Sequence, residues 1–543
     1  MFSEPVTGEK FFGREEVLEL LKKRALALKD GYRQNVALTG QSLAGKTSII
    51  LHFLHMIKEE GFVPVYVEAV REPFRSFANK FIATLLYNFF QKAGENIEAE
   101  MPALLDKARE MLPKTGAAIK QVNSFIERGE LDEAYSKLLE LTSVLKEETG
   151  APCIVILDEF DNLEHLGIKN PFLSFGKVIM VQKDTMYIVS SSRSAAIKKI
   201  ISEKLSLLFG NFEVVKISNF GLNASREFIN TRLANFEVDD DLKKFLISFT
   251  DGNPFYLGRI AAEIKNKALE RMSSFIDKDM ARDSILELVY SSDGSIHQYL
   301  LNFILDLLDS RSRESYISML VAIASGHNKQ QEIGRATKAK KSELSKSLLR
   351  LMELGLISKN GIFYYLDDAM LEFWLKHVYQ RRRDLLVDGT FDRTALFSKE
   401  FEVYMSGVMA DSSKGVTMRI AELFNCFSNE LVEIESKQMR LPNFTRVEEK
   451  AFRDSKQFIA ASYRGNFWIA QPYTYNINEN DIIDYIRNTK SLGCKITNKV
   501  IMPLKGIDEN AKLLAKELKI SIWTSATVNT LLGFYSKPRM VIL

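Results

Sequence analysis

Between positions 40 and 47, two glycines, a lysine and a hydroxyl stand in the order that a polyphosphate would need. Gly40, Gln41, Ser42, Leu43, Ala44, Gly45, Lys46 and Thr47 spell G-x-x-x-x-G-K-T, followed by Ser48. Glycines let the main chain curl closely around phosphate, and the free N–H groups at a helix start face negative charge. Lys46 would reach the β- and γ-phosphates, and the Thr47 hydroxyl would ligate Mg²⁺. A short apolar segment precedes the loop and an apolar segment at helical spacing, 47–58, follows it, as strand–loop–helix requires.

A second group is Cys153-Ile-Val-Ile-Leu-Asp158-Glu159, five apolar residues and then two acids. This is the pattern of a buried strand opening into a nucleotide crevice, the Walker B arrangement. Asp158 would hold Mg²⁺ and Glu159 would orient and deprotonate the attacking water. A third group, Tyr187-Ile-Val-Ser-Ser-Ser-Arg193, ends an apolar strand in hydroxyls and a cation. There Ser191 or Ser192 would sense the γ-phosphate or the water, and Arg193 would stabilise phosphate charge, the bland alternative being a solvated surface turn. Near the start, Phe12, Gly13 and Arg14 form a turn that would lay backbone and ring against adenine. His52 and His55 on the helix after the loop sit among apolar residues without a third ligand, and read as packing groups.

These groups need a scaffold that brings them together. Strand patterns at 35–39, 63–70, 153–158, 186–191 and 212–217 alternate with helical ones, which predicts an α/β fold with a parallel P-loop NTPase sheet covered on both faces. The charged, helical stretch from about 74 to 148 reads as a helical insertion. Further along, helical patterns at 313–324, 330–336 and 341–354 lead to an Asn360-Gly361 turn between apolar runs, which predicts a winged helix. From Lys329 to Arg350 there are seven Lys/Arg against two Glu. Lys338, Lys340, Lys341, Lys346 and Arg350 would contact double-stranded DNA, the alternative being a packing module. From about 390, strand and helix patterns alternate again, giving a small α/β domain.

The 543 residues exceed one core. With 46% hydrophobic and 26% charged residues, the composition is that of a soluble globular protein. A net charge of +3 leaves any nucleic-acid argument to local patches. Three scattered cysteines form neither a zinc spacing nor a disulfide framework, and no signal-like start or apolar run of membrane length stands out; a cytoplasmic protein with no membrane contact is expected.

In order, FFGRE, GQSLAGKT, IVILDEFDNL, YIVSSSR and Asp251-Gly-Asn-Pro-Phe255 resemble the archaeal-type ATPases of the STAND class, relatives of AAA+ proteins and of origin-recognition initiators, over residues 5–380. Where that family often has threonine-glycine-serine, this chain has Ser190, Ser191 and Ser192. The resemblance implies ATP and Mg²⁺ as cofactors. It implies a helical lid over 218–290 that turns nucleotide state into domain rotation, and places Gly252 and Pro254 near the base. It also implies a division into core 1–217, lid, winged helix 291–388 and C-terminal domain 389–543. The last resembles restriction-endonuclease-like domains, which need an Asp and a Glu-x-Lys. Here Gln471 and Tyr473 stand at the Glu and Lys positions, Glu402 is isolated, and Glu435-Ser-Lys437 lies in a helical-looking stretch, so no nuclease activity is expected. The expected function is an ATP-binding and ATP-hydrolysing switch whose winged helix acts on DNA or a protein partner. The alternative is an ATP-gated DNA-binding regulator with negligible hydrolysis.

Overall fold

Five strands form the sheet of the first unit. β1 (Asn35–Thr39), β2 (Val63–Glu68), β3 (Cys153–Asp158), β4 (Thr185–Ser191) and β5 (Phe212–Lys216) form one parallel sheet in the order β2-β3-β4-β1-β5. This is the P-loop NTPase sheet, in a computed structural model that describes residues 5–57, 60–205, 211–384, 393–435 and 437–542. Every residue of β1, β3 and β4 is buried, as strands covered on both faces must be. Alternation splits them cleanly. Val36, Leu38, Ile154, Ile156 and Ile188 face Leu21, Ile50 and Phe53 of α1 (Glu15–Lys29) and α2 (Lys46–Ile57). Ala37, Val155, Leu157, Tyr187 and Val189 face the other core. There they meet α3 (Phe74–Lys92), α4 (Met101–Met111), α5 (Pro113–Glu127) and α6 (Leu131–Thr149), the four helices of the stretch between β2 and β3, and α7 (Pro171–Val181). Each large buried side chain contributes about 1.5–3 kcal/mol. α8 (Ser194–Lys199) follows β4.

The chain divides into two units, 1–219 and 220–543. The second begins with α9 (Leu222–Arg232), β6 (Glu237–Val238), α10 (Asp240–Thr250), α11 (Pro254–Glu270) and β7 (Phe275–Ile276), with β6 and β7 paired. Asn253 caps α11, accepting from Phe255 N at 3.0 Å and Tyr256 N at 3.4 Å, and Pro254 occupies its first turn, where a missing N–H costs nothing. After α12 (Lys278–Ile285) and α13 (Ser295–Leu307) come α14 (Arg313–Ala324), α15 (Gln330–Thr337), α16 (Lys341–Glu353) and the antiparallel pair β8 (Ile357–Asn360) and β9 (Phe363–Leu366). Three helices and a hairpin are the arrangement a winged helix requires. α17 (Ala369–Trp374), α18 (Gln380–Asp384), α19 (Arg393–Ser413) and α20 (Val416–Asn425) complete the helical part. The expected boundary at 388/389 lies outside the described residues.

The C-terminal part has a hairpin, β10 (Glu430–Ile434) with β11 (Lys437–Leu441), and a mixed sheet. That sheet joins β12 (Arg446–Ala451), β13 (Gln457–Tyr463), β14 (Asn466–Tyr473), β16 (Ile496–Pro503) and β18 (Ser521–Ile522), with a side pair β15 (Asn476–Ile477) and β17 (Gly506–Ile507). α21 (Glu479–Lys490) and α22 (Glu509–Glu517) cover one face, and α23 (Ser525–Phe534) follows. Glu435 and Lys437 therefore sit at the β10–β11 turn, not in a helix, and Ser436 lies outside the described residues. The correction has a simple cause. Glu430, Val432 and Ile434 alternate inward, a period of two obscured by the inward acid Glu430 and the outward Leu431.

The β8–β9 hairpin is packed, not free. Asn360 donates from Nδ2 to Glu433 O at 2.9 Å and accepts from Glu433 N at 2.7 Å, and Ile362 N donates to Leu431 O at 3.1 Å. Phe363 stacks on Phe534 at 4.6 Å, and Lys329 pairs with the buried Glu430 at 3.1 Å. At Gly361, φ is +58° and a Cβ would stand 1.9 Å from Leu431 O. Gly361→Ala should therefore cost about 2 kcal/mol or more, from backbone strain and the clash together. It should also raise hydrogen exchange at Ile362 N and Glu433 N. Unchanged exchange and unchanged urea stability would contradict this docking.

Candidate functional site

The carboxyl end of the first unit's sheet gathers the groups singled out above. Lys46, the first residue of α2, is buried, and its Nζ donates to Gly40 O at 3.1 Å, Gln41 O at 2.9 Å and Ser192 Oγ at 2.9 Å. Thr47 Oγ1 donates to Asp158 Oδ2 at 2.8 Å, so the loop after β1 and the acid ending β3 meet directly. Gly40 allows this approach, since a Cβ there would lie 2.1 Å from Ile217 O. The first helical turn leaves N–H groups over the loop. With hard oxygens at Thr47 and Asp158, the donor set fits a divalent cation such as Mg²⁺, and the lysine and amides fit a polyphosphate.

Asp158 is the most heavily engaged acid of the site. Ser190 Oγ donates to Oδ1, Glu159 N donates to Oδ1 at 3.1 Å, and Tyr66 OH donates to Oδ2 at 3.1 Å. Neither Ser190 nor Tyr66 was singled out as a partner of this acid by sequence pattern. The signal that finds them is register: β2 pairs Glu68 with Asp158, and β4 pairs Val189 with Leu157, so alternation brings Tyr66 and Ser190 to the face that carries Asp158.

Glu159 takes a left-handed conformation with φ of 49°, at the turn where the chain leaves β3. Ser192 Oγ donates to its Oε1 at 2.6 Å, and Ser192 N donates to its Oε2 at 3.3 Å. Of the two sensor candidates, Ser192 thus bridges Lys46 and Glu159, whereas Ser191 is buried with its Oγ accepting from Arg193 N at 2.9 Å. Burial holds the Lys46 ammonium below its ordinary value, against the pull of Glu159, Asp158 and Asp161. Burial likewise holds the Glu159 carboxyl above the usual range, partly offset by Lys46 and the Ser192 hydrogen bond. Burial and then Asp158 push the Tyr66 phenol up.

Other expected groups are placed differently. Arg193 is ion-paired with buried Asp161 and donates to Asn162 Oδ1 at 3.1 Å; the structure does not bring it to Lys46. Ser48 Oγ accepts from Val6 N at 3.0 Å. Just before the Phe12-Gly13-Arg14 turn, Phe11 stacks on His52 at 4.2 Å. Arg14 donates to Ala44 O at 3.2 Å and to Ser218 O, tying the loop to the end of the unit. Pro254 belongs to the second unit. There Lys338, Lys340, Lys341, Lys346 and Arg350 are exposed on and before α16, joined by Arg335, and Arg350 pairs with Glu353 at 3.1 Å. Gln471 and Tyr473 are buried on β14 and bring no carboxylate, and Glu402 is exposed on α19. Among the described residues no helix is long and apolar enough to cross a membrane.

Residues 10–169 match the AAA ATPase domain. No curated protein matches the chain. Among solved structures, the chain is similar to a Walker-type ATPase of Pyrococcus abyssi, with 20% identity over 69% of this chain and 99% of that one, and a TM-score of 0.49. It is also similar to the ORC2 protein of Aeropyrum pernix, with 14% identity over 70% and 98% and a TM-score of 0.43. Similarity extends to the Thermotoga maritima RuvB Holliday junction branch migration motor, with 13% identity over 67% and 96% and a TM-score of 0.34.

The electrostatics give a signed expectation. A carboxyl whose folded-state value is raised favours folding below its unfolded value and loses that contribution as pH rises through the folded one. At pH 8 the Glu159 carboxylate is therefore a net cost. Glu159→Gln should melt above the wild type at pH 8, and the gap should close toward about pH 4, near the unfolded carboxyl value. Thermal melts across that range check it, and a destabilised variant at pH 8 would contradict it.

Proposed function

We propose that this chain binds ATP with Mg²⁺ and hydrolyses it, as a switch of the STAND/AAA+ type. The observation that carries the reading is the 2.8 Å contact between Thr47 Oγ1 and Asp158 Oδ2 at the mouth of the glycine loop, beside the buried Lys46. The match to the AAA ATPase domain over residues 10–169 supports it. In this reading the loop amides and Lys46 grip the β- and γ-phosphates. Thr47 and Asp158 would hold Mg²⁺, which when bound neutralises charge on the phosphoryl oxygens. Glu159 accepts a proton from the attacking water, and Ser192, already joined to both Glu159 and Lys46, senses the γ-phosphate. Phe12, Gly13, Arg14 and Ser48 line the nucleotide more peripherally, and Arg193 supports the strand end.

Nucleotide state then acts on the second unit. Arg14, bound to both Ala44 and Ser218, links the glycine loop to the end of the first unit. The output surface is the basic face of α16, acting on double-stranded DNA or on a protein partner. The docked wing leaves recognition to that helix. A second reading, an ATP-gated DNA-binding regulator with negligible turnover, is favoured by one observation: both Glu159 carboxylate oxygens are occupied by Ser192.

Turnover separates the readings. Glu159→Gln should lower ATP turnover about 10²- to 10⁴-fold with nucleotide affinity nearly unchanged; equal turnover would remove Glu159 from the chemistry, and no turnover in either protein would favour the regulator. For the output, the double variant Lys340→Glu/Lys341→Glu should weaken duplex DNA binding and lower the salt slope by about two. Unchanged affinity would point to a protein partner instead.

A further inference from the structure

We propose that Tyr66 is a positioning residue that sets how strongly the site holds Mg²⁺ with its nucleotide, by fixing the orientation of the Asp158 carboxylate. The inference rests on the ATP-binding reading above and adds a residue to it.

The geometry is specific. Tyr66 lies on β2, one strand over from β3, and its Cα partner there is Ile156, two residues before Asp158. Its ring packs with the core that contains Val36, Leu38 and Ile156, and its hydroxyl reaches along the strand to Asp158 Oδ2 at 3.1 Å. That oxygen also accepts from Thr47 Oγ1 at 2.8 Å, while Oδ1 takes Glu159 N at 3.1 Å and Ser190 Oγ. Four donors thus fill two oxygens from both flanking strands, the loop helix and the chain itself. A carboxylate so held has one orientation. Thr47 is the metal-ligand candidate among these donors, and Glu159 N is main chain. Tyr66 and Ser190 are the side chains whose sole task toward Asp158 is to aim it. Groups that orient a metal ligand without touching the metal typically change metal affinity by 10- to 100-fold when removed. Tyr66 is well suited to the part, because Phe keeps the ring and its packing and deletes only the donor.

The test is equilibrium binding by the full chain. A fluorescent, slowly hydrolysed ATP analogue is titrated in EDTA, and Mg²⁺ is then titrated into the complex. Tyr66→Phe should raise the Mg²⁺ concentration for half-maximal signal roughly tenfold, leave affinity in EDTA within about twofold, and leave the melting temperature near that of the wild type. Ser190→Ala, acting from the opposite strand on the other oxygen, should shift the Mg²⁺ midpoint in the same direction. An unchanged midpoint in Tyr66→Phe overturns the proposal, and so does an equal loss of affinity in EDTA, since the hydroxyl would then support nucleotide binding as a whole and not the hold on the cation. Failure of the wild type to bind the analogue would instead reject the ATP-binding reading itself.

Discussion

Charge buried at the end of a parallel sheet must be matched where it stands, and that constraint organises the first unit. Lys46 and Asp158 are buried, and Glu159 is held in place beside them. An unpaired buried charge costs several kcal/mol. The strand order resolves the problem. With β4 between β1 and β3, the residues ending β4 lie between the glycine loop and the acids. Ser190 serves Asp158, and Ser192, two residues on, serves Glu159 and Lys46. β2 flanks the far side and contributes Tyr66. The same arrangement that satisfies these charges also aims them at one place, which is what phosphoryl transfer asks of a protein.

What could be read from sequence follows the range of the signal. The glycine loop, the strand ending in Asp158-Glu159 and the Asn360-Gly361 hairpin are local patterns, and the structure contains each of them where the pattern lies. The helical stretch between β2 and β3 was legible for the same reason. Ser190 and Tyr66 were not, because their partner is fixed by cross-strand register and not by neighbours in the chain. The choice between Ser191 and Ser192 turned on which residue lies past the strand end. Arg193 drew attention as a cation near phosphate, yet Asp161, an acid four residues beyond Leu157, holds it. Glu435 and Lys437 fall at a hairpin and not in a helix, because an inward acid, Glu430, and an outward Leu431 mask the two-residue period of β10.

The second unit shows how a module's neighbours limit its use. The β8–β9 hairpin forms where the Asn360-Gly361 pattern predicts it. Its tip, however, is bonded to β10 through Asn360, and Phe363 shares a core with Phe424, Trp523 and Phe534. The β8–β9 hairpin and the C-terminal sheet are therefore joined through a common apolar cluster, a stronger tie than surface ion pairs provide. What stays exposed is α16 with its lysines. The C-terminal sheet contributes packing at this junction, and Gln471 and Tyr473, buried on β14, carry no charge to hold a metal.

The account stands on a lysine, a threonine and an aspartate gripping a triphosphate, and equilibrium binding of labelled ATP to Lys46→Ala tests that grip most directly. Loss of most affinity, in a variant whose melting temperature is not lowered, is the predicted result. Retention of wild-type affinity would contradict it.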